Sequence, residues 1–431
     1  MNLLEELNWR GLVASTSGNL VNILNNQKTT FYVGTDPTGK SLHVGHLLAF
    51  IVARLLQQHG HKPIILVGGA TASLGDPSFK AEERKLLSMD EIMSNAENIK
   101  KQLSHLIDFD STDANGAIMV NNYDYMKDMS FLDFARNVGK MITINYMMAK
   151  DSVQSRLSRE GSGLSFTEFT YQLLQGYDFQ QLNEKFGCTL QIGGSDQFGN
   201  AMTGLEIIRK SGGNSDECGV LTWPLVTRAD GTKFGKSEGG KNVWLDPTMT
   251  SPFQFYQFWL NQTDEDAKKY VKMFTLLSCD EIESLIAKHD EAPHLRLLQK
   301  TLAFEVTKMV HSENDANMAI EASKALFDKT TTIDTFKKFD ENTFKSIFDG
   351  VPHLSISKDY IASNPSFIDF AVESKFANSK GEIRRAILNG GISKSLVKIP
   401  SVDTRISLDD VIHNKYIILK SGKKYSLVTV D

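Results

Sequence analysis

The chain has 431 residues, 41% of them hydrophobic and 23% charged, with a formal net charge of -5. That length suffices for two or three sizeable cores. The charge excludes a protein coated in basic surface for nucleic acid and leaves room only for local basic patches. No apolar run approaches the roughly 20 residues that cross a bilayer. The opening MNLLEELNWRG has neither the basic nor the apolar region of a leader, so the expectation is a cytoplasmic protein with no membrane contact. Cys188, Cys218 and Cys279 are odd in number and form no CxxC, which predicts buried reduced thiols and neither a disulfide framework nor a bound metal.

Residues 3–26 read as helices. Thr29–Val33 is a β-branched and aromatic strand that breaks at Gly34 and turns through Asp36, Pro37, Thr38 and Gly39. A helix then opens at Ser41, a good N-cap, and runs to Gln58. His43 and His46 fall on one face of its first turn, where unpaired N–H groups and the positive end of the helix dipole favour an anion and disfavour protonated imidazoles. Gly45 between them lets a flat ring approach the backbone. Pro63–Val67 follows as a strand buried on both faces, so strand, helix and strand form a βαβ unit of a parallel sheet.

Past Gly68 and Gly69, Asp76 sits beyond the carboxyl end of a parallel strand, where open α/β sheets bind ligands and where a carboxylate suits an ammonium group. Lys80 and Arg84 either reach phosphates or decorate a solvated helix. Residues 90–108 are an amphipathic helix, 118–120 a short strand, and 130–150 a second amphipathic helix whose Phe and Met stripe is core packing. In FTEFTYQLLQGYDF, Tyr171, Gln175 and Asp178 share a helix face, either satisfying one another or binding a polar ligand. TLQIGGSDQFGN gives a strand over Thr189–Ile192, the flexible pair Gly193 and Gly194, and a helix from Ser195 to Arg209 with Asp196 at its start.

RADGTKFGKSEGG contains GKS, but Asp230 stands where a Walker A motif needs glycine, and Gly239 and Gly240 follow in place of a helix. What remains is a glycine-flanked loop carrying Lys233, Lys236 and Ser237, suited to closing over a polyphosphate. Residues 251–325 read as helices and 326–360 as a linker with little regular structure. From Ser366 the chain carries eleven Lys or Arg against seven Asp or Glu, with Lys380, Arg384 and Arg385 on one helical region ahead of Gly390 and Gly391.

HVGH and KFGKS resemble the two signatures of class I aminoacyl-tRNA synthetases. YVGTDPTGKSLHVGH, GGAT followed by GDPS, the Tyr171–Gln175–Asp178 helix, QIGGSDQFGN and KFGKS stand in the order of bacterial and organellar tyrosyl-tRNA synthetases. The resemblance continues to the C-terminus, where SKGEIRRAILNGGISKSLVKI is similar to the S4-type RNA-binding fold.

The resemblance implies an α/β architecture: a Rossmann-like parallel-sheet catalytic domain (1–227), the KFGKS loop (228–250), a helical anticodon-side domain (251–325), a linker (326–365) and an S4-like α+β domain (366–431). It implies ATP-dependent activation of L-tyrosine and transfer to tRNA(Tyr) by a homodimer, with Mg²⁺ on the ATP and no tightly bound cofactor. Residue by residue, Tyr32 and Asp178 would bracket the substrate phenol, Asp76, Tyr171 and Gln175 would hold its ammonium, and Gln197 would lie near its carboxylate. Gly34, Asp36, Gly45, Gly193 and Asp196 would line the nucleotide pocket. His43, His46, Lys80, Arg84, Lys233, Lys236 and Ser237 would act on the triphosphate, and Lys380, Arg384 and Arg385 on RNA. Val33 stands where many members have a ribose-contacting cysteine, which shifts ribose binding toward Asp196 and backbone groups; Thr35 is a milder departure. The rivals are a tryptophanyl-tRNA synthetase, a small-molecule nucleotidylyltransferase and a non-catalytic RNA-binding relative.

Overall fold

The structure is a computed structural model and describes residues 1–75, 87–158, 164–232, 234–236, 240–327, 332–348, 351–422 and 424–431. Its contacts divide the chain into two units, residues 1–249 with 258–310, and residues 250–257 with 311–431. Among the described residues no helix is long and apolar enough to cross a membrane.

The first unit is built on six strands, β1 (Thr16–Ser17), β2 (Thr30–Thr35), β3 (Lys62–Val67), β4 (Ile118–Asn121), β5 (Cys188–Gly194) and β6 (Gly219–Trp223), in the order β1-β6-β5-β2-β3-β4. All neighbouring pairs are parallel except β1 with β6. The strand order reverses between β2 and β5, which puts the ligand crevice of such a sheet outside their carboxyl ends. Tyr32 is in register with Ile64 on one side and Gln191 on the other. That face is covered by the Phe166–Phe186 and Phe198–Lys210 helices, whose Phe179, Leu182, Leu205 and Ile208 pack with Tyr32, Ile64 and Val220.

Two expected elements differ. The helix after β2 begins at Val44, with His43 and not Ser41 as its N-cap. The reason is tertiary pairing: Leu245 N donates to Leu42 O and Val44 N to Val243 O, while Asp246 N donates to the Ser41 hydroxyl. These bonds keep residues 41–43 out of the helix, with His43 extended. Residues 130–150 are also not one helix. They form Phe131–Asn137, a 3₁₀ turn over Gly139–Met141 and Ile144–Met148, because Ile142 is extended and Thr143 caps a new start. The reading of this stretch as core holds for Val138, Ile142 and Met147, whereas Phe131, Leu132 and Ile144 are exposed.

Helices at Asp264–Phe274, Cys279–Glu291 and Leu297–Val310 belong to the first unit, so the helical segment expected as one body is shared between the two. Arg10 supplies the physical link. Its buried guanidinium donates to Lys272 O, Thr275 O and Leu277 O at the carboxyl end of the Asp264–Phe274 helix, where carbonyls lack intrahelical partners.

His61 ties the amino-terminal segment to the sheet. Thr29 N donates to its Nδ1 and its Nε2 bonds to Leu24 O, so the neutral ring is fully used. Burial is the main cause that lowers its pKa from 6.5 to about 4. The unfolded chain therefore binds more protons between those two values, and this residue's contribution, present above pH 6.5, is lost as pH falls toward 4. The wild type is expected to lose up to roughly 3 kcal/mol against His61→Gln over that window, read as the difference between their urea unfolding curves.

The second unit carries β7 (His353–Ile356), β8 (Ile392–Lys394), β9 (Val397–Lys398), β10 (Tyr416–Ser421) and β11 (Lys424–Val430), in the order β7-β11-β10-β8-β9. Helices Phe367–Glu373 and Lys380–Leu388 cover it around Phe367, Phe370, Ile383, Ile417 and Val428. The stretch expected as a linker with little regular structure contains helices at Ile333–Lys337, Glu341–Ile347 and Lys358–Ala362 together with β7. Buried Phe336, Phe339, Phe344 and Phe348 pack ring against ring, and that apolar surface supports the helices.

Candidate active site

The buried end of the crevice is formed by β2, β4 and the Phe166–Phe186 helix. Ser165 starts that helix with a capping box and Gly187, at φ 63°, ends it. Between them the helix turns a buried Asp178 toward β4 and a buried Tyr171 toward β2. Asp178 accepts from the Tyr125 hydroxyl at 2.7 Å and from Asn122 Nδ2 at 3.2 Å. Burial pushes its carboxyl up to about 7, against the pull of those two bonds. Tyr32 is 1% exposed, and its hydroxyl has no hydrogen-bond partner among the described residues. Burial, and then the Asp178 charge, raise that phenol well above its usual range, so it stays a neutral donor.

A second chain of bonds runs from this end toward the helix that follows β2. Asn122 also donates to Thr71 Oγ1, Thr71 donates to Asp36, and the Tyr171 hydroxyl donates to the other Asp36 oxygen at 2.8 Å. The expected phenol residue Asp178 and nucleotide residue Asp36 thus lie on one network with Tyr171. Gln175 accepts from Asn200, and Gln197 donates to Asp196 at the start of the Phe198–Lys210 helix. Gly34 is exposed at the carboxyl end of β2, and Gly193 and Gly194 end β5. Val33 is buried within β2.

The two histidines stack, with ring centroids 3.9 Å apart. Gly45 N donates to His43 Nδ1 at 3.0 Å and His43 N to His46 Nδ1 at 3.3 Å. Each Nδ1 is an acceptor, so the proton of each neutral ring sits on Nε2. A Cβ at position 45 would come within 2.8 Å of His43 Cε1, so only glycine lets that ring lie over the helix start.

The described part of the KFGKS loop is held against this helix. Phe234 is buried among Phe258, Trp259, Tyr270 and Phe274. Gly235, at φ 102°, takes a conformation open to glycine and passes close to Gly45. Lys236 is exposed, bridges to Asn242 and accepts from Arg228 through its carbonyl. Asp266 anchors the loop base by accepting from Ala229 N. Asp76, Lys80, Arg84, Lys233 and Ser237 lie outside the described residues.

Four polar residues escaped the sequence reading. Thr71, Asn122 and Tyr125 follow β3 and β4, just past the carboxyl ends of parallel strands, which is the signal that pointed to Asp76 and applies equally to them. Gln191 lies in register with Tyr32 on the same sheet face, and its buried amide oxygen has no partner among the described residues. An amide in an otherwise apolar strand was the available sign. The thiols of Cys188 and Cys218 are buried as expected, while Cys279 is only half-buried.

Residues 24–328 match the family described as tRNA synthetases class I (W and Y), and residues 343–428 match the tyrosine--tRNA ligase SYY-like C-terminal domain. A tyrosine--tRNA ligase of Bacteroides thetaiotaomicron is 52% identical over 427 residues, 98% of each chain. One of Porphyromonas gingivalis is 50% identical over 434 residues and the whole of both chains. Among solved structures, a C-terminally truncated mitochondrial tyrosyl-tRNA synthetase of Aspergillus nidulans is 30% identical with a TM-score of 0.67, covering 76% of this chain and 94% of that one. With half its residues shared along its full length and both of its units matched, the chain belongs to the tyrosine--tRNA ligases of the class I tRNA synthetases.

Proposed function

We propose that this chain activates L-tyrosine with ATP to tyrosyl-adenylate and transfers the tyrosyl group to the 3'-terminal ribose of tRNA(Tyr). The observation that carries the reading is the pair at the buried end of the crevice. Among the described residues the Tyr32 hydroxyl lacks a partner, and the Asp178 carboxylate, whose charge acts on that phenol, is held by Asn122 and Tyr125. A substrate phenol donates to Asp178 and accepts from Tyr32; phenylalanine leaves the Tyr32 hydroxyl without its acceptor and Asp178 without that third donor in a desolvated site. Tyr171 and Gln175, with Asp76, hold the ammonium, and Gln197 lies toward the carboxylate.

That carboxylate attacks the α-phosphorus in line and the bond to pyrophosphate breaks. The Nε2–H groups of His43 and His46 donate to the phosphate oxygens as charge builds, at the positive end of a helix dipole. Lys236, with Lys233, Ser237, Lys80 and Arg84, acts on the same oxygens, while Gly34, Asp36, Gly45, Gly193 and Asp196 border the nucleoside. Mg²⁺ comes as the counter-ion of ATP. The tRNA ribose hydroxyl then attacks the tyrosyl carbonyl carbon and AMP leaves, with Lys380, Arg384 and Arg385 holding RNA phosphates. The reaction belongs in the cytoplasm, where its tRNA substrate resides. Charging of a tRNA(Tyr) transcript with radiolabelled tyrosine tests this; a protein that exchanges pyrophosphate but charges no transcript contradicts the second half-reaction.

The pH dependence follows from Asp178. Its carboxyl must be ionised to accept the phenol, so kcat/KM for tyrosine is expected to fall as pH drops below about 7. Tyr125→Phe removes the 2.7 Å bond that pulls the carboxyl down, so the fall begins at higher pH and KM for tyrosine rises several-fold at pH 7. A pH profile of steady-state exchange reads both.

The homodimer is supported by an apolar patch: Phe131 is 65%, Leu132 77% and Phe166 67% exposed, with the two phenyl rings 6.5 Å apart. Surface of this kind marks an interface. Phe131→Asp is expected to sediment as a monomer where the wild type sediments as a dimer.

A further inference from the structure

Residues 242–245 pair with both signature stretches. On one side Val44 N donates to Val243 O at 2.9 Å and Leu245 N to Leu42 O at 2.8 Å, and these bonds bracket an antiparallel bridge between His43 and Trp244. On the other, Val243 N donates to Gly235 O at 3.2 Å and Asn242 bridges Lys236. Because the first two bonds flank His43 and Trp244 without joining them, these residues form a non-hydrogen-bonded pair, the kind whose facing side chains come closest. Their rings meet, with centroids 5.9 Å apart and planes inclined by 58°. Val243 and Leu245 are buried while Trp244 is half-buried, the alternation expected along such a segment.

The contact bears on the chemistry of the histidine pair. His43 is half-buried, and His46, stacked on it, is exposed. The bond from Gly45 N to His43 Nδ1 sets the tautomer, and an aromatic wall beside the ring sets its tilt. A donor aimed at a developing charge is effective only when it is held in place before the charge forms. We propose that Trp244 is a positioning residue for the activation step: it holds the His43 imidazole, and through the stack His46, in the orientation that directs Nε2–H at the phosphate oxygens. The inference rests on the activation reading and assigns part of its precision to a residue outside both signatures. Trp244 acts through His43, so its effect must vanish once His43 has no donor to aim.

The test places Trp244→Leu and Trp244→Phe in the full chain, each in the wild type and in His43→Asn, and measures ATP–pyrophosphate exchange together with urea unfolding. In the wild-type background Trp244→Leu is expected to lower kcat about tenfold with KM for tyrosine unchanged, and Trp244→Phe, which keeps a ring, to recover most of the loss. In His43→Asn, Trp244→Leu is expected to change kcat no further. A residue that only supports the fold lowers stability, and lowers kcat by the same factor in both backgrounds; that result overturns the proposal, as does a wild-type kcat in Trp244→Leu. The ring-current displacement of the His43 ring protons by the indole, assigned from the signals lost in His43→Asn, is a second measurement that needs no turnover. It is expected to disappear in Trp244→Leu. A wild type without tyrosine-dependent exchange defeats the activation reading; a displacement abolished by Trp244→Leu then keeps the orienting contact, and unmoved His43 resonances defeat that as well.

Discussion

Asp178→Asn is expected to lower kcat/KM for tyrosine in pyrophosphate exchange by about 10- to 150-fold, the range for losing a hydrogen bond to a buried charge. The value for phenylalanine should stay the same or rise, so the selectivity ratio collapses. The phenol donates to the Asp178 carboxylate, which Asn122 and Tyr125 hold in an orientation an amide reproduces in shape. The substitution also removes a group whose carboxyl titrates near 7, so the drop in kcat/KM below that pH should disappear. An unchanged pH profile would show that some other group sets the fall. Stopped-flow measurement of adenylate formation keeps the effect on tyrosine binding apart from the effect on chemistry.

His43→Ala is expected to reduce kcat for activation by about a hundred- to a thousandfold, as loss of one preorganised donor to a developing charge does. KM for tyrosine should move little, since the imidazole meets the phosphates and not the amino acid. The residue also has a structural duty as N-cap of the Val44–Gln58 helix and as stacking partner of His46. Removing a cap costs about 1 kcal/mol. His43→Asn distinguishes the two roles. Its side chain still accepts from the Gly45 N–H, which restores helix stability, but it does not carry a donor out to the position of Nε2. Recovery of stability without recovery of kcat assigns the loss to charge stabilisation, whereas recovery of both would make His43 a cap alone.

The parallel sheet was legible because its evidence is local. Strand β2 is a β-branched and aromatic run, β3 is nearly continuous in apolar residues, and HVGH opens a helix shortly after a glycine-bearing turn. The start of that helix was misread because Ser41 is the better cap by local chemistry, and the competing bonds come from residues 243–246, some 200 positions away. The same long range hid Asn122 and Tyr125, whose partner Asp178 is more than fifty residues downstream. The Phe336 to Phe348 cluster is a different kind of omission. Its aromatic spacing was present in the sequence, but Thr330 to Thr332 and the scattered Lys and Asp drew the reading toward a linker. Pattern within one element carries through to structure, and polar partnerships between elements do not.

The most direct test of the account is ATP–pyrophosphate exchange by the wild-type chain with tyrosine, phenylalanine and tryptophan in parallel. The Tyr32 and Asp178 pocket predicts exchange with tyrosine alone. Exchange supported by tryptophan, or by phenylalanine to a comparable extent, would contradict the phenol-binding assignment while leaving the fold intact.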